Sequence, residues 1–442
     1  PAPDASSGHR HPAAGCDMTV TLHPSPAADR QQPQPVVSRL PETFVIAGSV
    51  VAPLNLIIAA SLTVYDVILG MAAVMLLLER RRLPLPPKGY VACAFIFVFA
   101  ALISAYRATF PLEALTQIIQ YMFIFFVQIP VILAVIRTRK TALLSLALMC
   151  AGTLAAILHA HISEQTQGAG RVVVFYSENP NRLGYPTAYL LPILIVLWIA
   201  ADQMWRRKRW LFTVLLAGSV YLAIWALAAS ASRSAALGSI VALVVFVVLR
   251  PGVSVGRMLL RAVCLAGAVT ALIALLASTG QLPSTLEDRV ERSFSSDTED
   301  TTHLVADREN LADAGVRAFF DSPFVGTGLD NFRYVAVDYD LDSTPQLPHN
   351  LWLQLVVQVG IFGALAFGAM LLLWFRDLFR ARRDGGTLDG RLLWSLVSAM
   401  VGILTILFFA PEMLDRHYWL IFALGLAVVN GLRHPSRWEG NG

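Results

Sequence analysis

Three observations predict an all-α polytopic membrane protein with about twelve transmembrane helices. Apolar residues make up 56% of the chain and charged residues only 14%, whereas a soluble domain is about a quarter charged. The mean hydropathy is +0.60. The apolar residues gather into runs near the roughly 20 residues that a membrane-crossing helix needs. Finally, the connections between runs alternate between strongly basic and non-basic.

The runs lie at about 43–60, 61–78, 89–106, 117–136, 141–160, 186–201, 210–230, 235–249, 257–278, 350–375, 391–410 and 416–432. The first two nearly touch. They divide near Ala60-Ser61, because one helix of ~35 residues is too long for a bilayer. Basic clusters follow the even-numbered runs: Arg80–Arg82 with Lys88, Arg137 with Arg139 and Lys140, Arg206–Arg209, then Arg250, Arg257 and Arg261. The series ends with Arg376, Arg380, Arg382 and Arg383, then Arg433 and Arg437. All three lysines, Lys88, Lys140 and Lys208, lie on this side. Lysine and arginine enrichment marks the cytoplasmic side, so both termini are expected there. Loops after odd-numbered spans then face outward.

This divides the chain into a disordered tail at 1–40, spans 1–9 over 41–278, a large outward loop over 279–349, spans 10–12 over 350–432, and a tail at 433–442. Residues 1–40 are rich in Pro, Ala, Ser and Gln and lack the apolar stretch of a secretory signal. Met18 is a candidate start, with residues 1–17 an addition. Cys93, Cys150 and Cys264 sit within apolar runs and are expected to act as small buried residues, not as a disulfide framework. The net charge of +4 follows from topology and needs no nucleic-acid partner.

The outward segments carry the unusual residues. Arg233 lies between two apolar runs with almost no loop to take it into water. It is either a snorkelling interfacial arginine or a functional charge. The large loop holds Arg289, Arg292, Arg308, Arg317 and Arg333 against fourteen acids, a net charge of −9. Any anion site there must be local and shielded from the acids. Residues 307–320 read as a helix stopped by Asp321-Ser322-Pro323. Leu311, Gly315 and Phe319 form its apolar stripe, and Arg308 falls on the same face. An inward-facing arginine needs an anionic partner, either a local carboxylate or a phosphate held two-pronged. Gly326-Thr327-Gly328 marks a tight turn and is weak as a phosphate cradle.

His349 precedes Asn350, a plausible N-cap of the tenth span. It is either an ordinary interfacial histidine or a general base, since an unperturbed imidazole has a pKa of about 6.5. His161, His303 and His417 compete for that role. Asp297, Glu299 and Asp300 could hold a metal but read better as a solvated acidic turn, so no metal or other cofactor is assigned. Thr63 caps a helix with Asp66 in its first turn, a structural role.

Ser232-Arg233-Ser234 opening a helix, Asp307-Arg308, Phe320 through Phe332, Pro348-His349-Asn350 and Val359 through Gly363 together resemble the O-antigen ligase and polymerase superfamily. Asn179 through Gly184 is also similar to that family. The resemblance spans roughly residues 40–432. It implies a GT-C-like membrane glycosyltransferase of the bacterial inner membrane, its active site facing the periplasm. The donor would be a glycan on undecaprenyl diphosphate. A ligase would transfer it to lipid A–core, a polymerase would extend the carrier-linked glycan, and a protein O-oligosaccharyltransferase would modify Ser or Thr. The resemblance makes His349 the base and Arg233 and Arg308 the diphosphate ligands. It adds Arg171, Asn181 and Asn331 as secondary substrate-binding candidates. Membrane lipids are the remaining partner. A transporter or flippase is the reading from another class. Few central charges and no evident internal repeat count against it.

The orientation is open to direct measurement. A cysteine placed at Ser343 should be labelled from the periplasm, and one at Gly385 only after the inner membrane is opened. The reverse pattern inverts the topology.

Overall fold

The computed structural model describes residues 39–439 apart from 60–61, 82, 168–171, 175–176, 178, 250–253, 255, 258–259, 262, 265–266, 268–298, 340–348, 382–386 and 411. The side chains of 59, 164–167 and 299–308 also lie outside the description. The described chain is helical, with one two-stranded antiparallel hairpin. Seven described helices are long and apolar enough to cross a membrane. They are α3 (Lys88–Tyr106), α4 (Pro111–Val135), α5 (Arg139–Gln167), α6 (Asn181–Met204), α7 (Arg209–Ser230), α10 (Leu351–Arg380) and α11 (Leu388–Leu407). These match the runs expected at 89–106, 117–136, 141–160, 186–201, 210–230, 350–375 and 391–410. Their outward faces carry large apolar side chains, among them Phe95, Phe99, Val214, Leu215, Leu365 and Leu372. Water would not tolerate such a surface, and lipid does. The chain is a multi-pass membrane protein.

The beginning of the bundle differs from expectation. The run at 43–60 is not a continuous helix. α1 (Leu40–Gly48) stops after nine residues. A 3-10 turn at Ala52–Leu54 follows, and Asn55 turns the chain with φ +43°. A hairpin of β1 (Ile57–Ala59) and β2 (Leu62–Thr63) then leads into α2 (Val64–Leu78). Gly48 packs against Ile68 and Tyr65 of α2, which brings the two short helices together. The eighth run is a short helix, α8 (Arg233–Val248). The ninth, 257–278, lies almost wholly outside the described residues. Of the cysteines, Cys150 is buried, Cys93 half-buried and Cys264 exposed, so Cys264 is not the buried residue expected; these three are free thiols.

The twelfth expected run forms α12 (Arg416–Arg433), which is the centre of the bundle. All its residues except Asn430 and Arg433 are buried. A helix apolar on every side belongs in the middle of its neighbours. Trp374 of α10 donates its indole N–H to the Phe422 carbonyl at 2.8 Å, and Gly425 leaves room for that ring. At the basic end, Asp389 accepts two bonds from Arg139 at 2.7 Å and one from the Trp438 indole at 3.0 Å. Small residues let α8 and α11 approach closely, with Gly238 facing the Gly402 carbonyl.

Asp66 has a larger role than a cap. Thr63 and Asp66 form a reciprocal capping box at the start of α2. The same carboxylate accepts two bonds from Arg416, at 2.7 and 2.9 Å, with both side chains almost fully buried. Arg416 also donates to the Leu414 carbonyl. The pair locks the first full helix to the start of the central one. Its lone pairs and donors are well used, which such a buried pair requires.

α10 is broken in its interior. Gly360 has φ +67° and ψ 176°, so the carbonyls before it lose their helical donors. The segment after α9 (Glu299–Asp321) supplies replacements. Thr327 N–H donates to the Val357 carbonyl at 2.9 Å, and Gly328 N–H to the Gln358 carbonyl at 3.0 Å. In return, Ile361 N–H donates to the Pro323 carbonyl at 2.9 Å. Gly326 (φ +79°) and Gly360 both sit where a Cβ would strike backbone, at 2.5 Å from the Gln358 oxygen and 2.3 Å from the Phe324 oxygen. Before the break, α10 packs against α9 in a small separate core of Leu311, Ala314, Ala318, Phe332, Ala336 and Val357. The expected stripe is present and wider: Leu311 and Gly315 are buried, Gly315 against Leu353, Phe319 is half-buried on the same core, and Ala314 and Ala318 join them.

Two variants test these joints. Arg416→Ala leaves the Asp66 carboxylate buried and unpaired, a cost of about 3–5 kcal/mol. It should sharply lower the melting temperature in detergent, while a neutral pair from Asp66→Asn with Arg416→Met should recover much of the loss. Gly360→Ala should release the α9 segment, seen as faster protease cleavage near Ser322 with the remaining helices intact.

Candidate active site

α7 ends in a tight turn at Ala231, whose φ is +47°. Ser232 caps α8, its hydroxyl accepting from Ala235 N–H at 3.4 Å. Arg233 is the first residue of that helix. It is exposed, and it makes no ion pair or hydrogen bond among the described residues. A helix N-terminus already carries positive partial charge, so its own helix does not stabilise a cation there. Guanidinium and helix end together attract an anion.

The turn beside Arg233 comes from the start of α6. Asn181 N–H donates to the Asn179 side chain at 3.0 Å, which opens the helix. Gly184 packs on Ser230 and Ala235, and Thr187 bonds Ser239 of α8 at 2.6 Å. The Asn181 side chain is half-buried. Arg182 forms an ion pair with Glu412 and reaches Asp415 at 3.7 Å. Asn179 donates to the other Glu412 oxygen at 3.1 Å, and Asn55 to Asp415 at 3.4 Å. Burial pushes the Glu412 carboxyl up to about 7, helped by the Asp415 charge and opposed by Arg182 and Asn179. His417 is buried between Tyr189 and Tyr418, far from the exposed position of an acceptor-facing base.

On α9, Arg308 lies three residues before the buried Leu311, at a position continuing the packed face; its side chain is outside the description. Arg317 is exposed on another face and pairs with Asp313 at 2.5 Å. The two N–H groups of the Gly326–Gly328 turn best placed to cradle a phosphate are spent on α10 carbonyls. Asn331 is fully buried. Its amide accepts from Phe110 N–H at 2.7 Å and donates to the Phe110 and Leu329 carbonyls at 3.2 and 2.9 Å. This supports a clamp between the loop and the α3–α4 turn more than a substrate contact. Beside it, Arg333 bridges Asp330 and Glu113, and Tyr334 donates to Glu113 at 2.8 Å. Burial raises the Asp330 carboxyl above its ordinary range.

His349 is exposed, immediately before the Asn350 cap. Asn350 accepts from Trp352 and Leu353 N–H at 2.9 and 3.1 Å, as the sequence leads one to expect. Arg171 and His303 fall outside the described residues or side chains. Among the described residues, no three His, Cys, Asp or Glu side chains gather around a common point. The side chains of Asp297, Glu299 and Asp300 are not among them.

The structure therefore brings Asn181 and Arg233 to adjoining turns, and Asn331 to the base of the loop that carries α9 and leads to His349. No described contact joins Arg233 to His349. Sequence reasoning missed the Arg182–Glu412–Asp415 cluster and the Glu113 partner of Arg333. The available signal was a pair of carboxylates at the edge of an apolar span, which need a cation close by.

The fold and this arrangement define a multi-pass membrane protein with the charged cluster of Arg182, Glu412 and Asp415 beside the turn that opens α8. Residues 218–368 match the family model described as O-antigen ligase. The match runs from α7 into α10 and contains Arg233, Arg308 and His349. No curated protein matches the chain.

Proposed function

We propose that the chain is an O-antigen ligase. In this reading it moves O-antigen polysaccharide from undecaprenyl diphosphate to a sugar hydroxyl of lipid A–core, at the periplasmic face of the inner membrane. The observation that carries the reading is the family match over 218–368, which encloses the exposed Arg233, the α9 arginine and the exposed His349 in one stretch.

The chemistry is a single displacement with inversion. The acceptor hydroxyl loses its proton to the His349 imidazole as its oxygen attacks the anomeric carbon. The bond to the diphosphate oxygen breaks, and negative charge builds on that leaving group. Arg233 and Arg308 stabilise the charge, so the step needs no divalent metal. Planar guanidinium groups suit a diphosphate better than point charges do. Arg171, ahead of α6, and Asn181, in the first turn of α6, serve as secondary contacts.

Purified protein, carrier-linked glycan and lipid A–core test the reading. Product on the core identifies a ligase; a lengthened carrier-linked glycan identifies a polymerase and overturns the proposal. Activity should survive a chelator, and rescue of a lost activity by Mg²⁺ would return attention to Asp297, Glu299 and Asp300. His349→Ala should cut turnover by about 10²–10⁴-fold with donor binding retained. His161→Ala, His303→Ala and His417→Ala should keep the chemical step. Arg308→Lys should fail where Arg317→Lys is tolerated, since an exposed pair such as Arg317–Asp313 contributes little.

A further inference from the structure

Of the charged clusters that the mechanism leaves unused, one adjoins the α8 turn. Arg182, Glu412 and Asp415 meet at the loop end of the bundle, largely shielded from solvent. They join three separate parts of the chain. Arg182 belongs to the first turn of α6, Glu412 and Asp415 to the link between α11 and α12, and Asn55 ties that link back to the turn after α1. The Asn179 amide makes a second bond to Glu412, so the α6 turn is held at two points.

That turn is also the surface against which the Arg233 helix begins. Gly184 meets Ser230 and Ala235 so closely that a Cβ would lie 2.4 Å from the Ser230 hydroxyl. Ser230 accepts from Ser232 N–H at 3.3 Å, and Ser232 caps the helix. Tyr185 interacts with the Ser234 hydroxyl and packs with Ala235 and Ala410. Ser230, Ser234 and Ala235, on either side of Arg233, therefore rest on the segment that Arg182 anchors.

We infer that Arg182 is a positioning residue for Arg233: its ion pairs to Glu412 and Asp415 fix the α6 turn, and the turn fixes where the Arg233 guanidinium is presented. This rests on the reading of Arg233 as a diphosphate ligand only for its effect on the donor. Arg182 does not touch the donor. Its work is to remove the freedom that Arg233 would otherwise lose on binding, which is how preorganisation raises affinity.

The test uses the full-length protein in lipid nanodiscs and has two arms. In a cysteine-free background, a nitroxide attached through Arg233→Cys should become more mobile when Arg182→Gln is added, and stay as it was with Arg182→Lys. An unchanged spectrum with Arg182→Gln overturns the inference. In the second arm, Arg182→Gln should weaken binding of undecaprenyl diphosphate–linked glycan about tenfold, a coupling typical of residues linked through one network or backbone shift. Turnover at saturating donor should fall as well, because Arg233 also stabilises the charge on the leaving diphosphate. In an Arg233→Ala background, Arg182→Gln should add no further loss; an equal loss in both backgrounds overturns the inference. If Arg182→Gln alone unfolds because two carboxylates are stranded, Arg182→Gln with Glu412→Gln replaces it and must show the same pattern. If Arg233→Ala leaves donor affinity intact, the diphosphate reading fails, and the nitroxide arm alone decides the positioning role.

Discussion

The break in α10 is the constraint on which the loop end depends. A helix interrupted at Gly360 leaves carbonyls that neither lipid nor apolar side chains can satisfy. The chain answers with N–H groups from Thr327 and Gly328. Satisfying one segment's backbone thus fastens another. Because the fastening is backbone to backbone, it fixes position closely while leaving side chains free to vary. Asn331 extends the same joint to the α3–α4 turn through Phe110, so one seam holds α3, α4, α10 and the loop.

Charge is sorted along this end of the molecule. Arg182, Arg333 and Arg416 all have carboxylate partners, and each pair joins elements distant in sequence. These arginines are part of the framework. Arg233 stands apart, exposed at a helix start with its framework duties carried by Ser232 and Gly184. A buried pair such as Arg416 with Asp66 contributes less net stability than its geometry suggests. Its larger effect is to specify one arrangement of helices, because any other arrangement strands a charge.

Much of the fold was legible because membrane crossing imposes one dominant rule. Long apolar runs became helices from α3 through α7 and again at α10 and α11. The helix stop at Asp321-Ser322-Pro323, the Asn350 cap and the Thr63–Asp66 cap followed from local chemistry. The rule failed where apolarity does not decide length: residues 43–60 are apolar enough for a span, yet Pro53 and the left-handed Asn55 turn them into a half-helix and hairpin. Arg233 and His349 are exposed, and their roles rest on the resemblance. The donors of the Gly326–Gly328 turn point to α10. Pairings across hundreds of residues, such as Arg416 with Asp66 or Arg182 with Glu412, have no local signature and needed the fold.

The position of α12 sets an order of events during synthesis. The helix that fills the middle of the bundle is made after all those that surround it. Until it enters, Asp66 has no guanidinium, Gln128 lacks the Arg416 carbonyl it donates to, and Trp374 lacks the Phe422 carbonyl. The helices made before α12 therefore complete their polar pairings and their packing only once α12 has joined them.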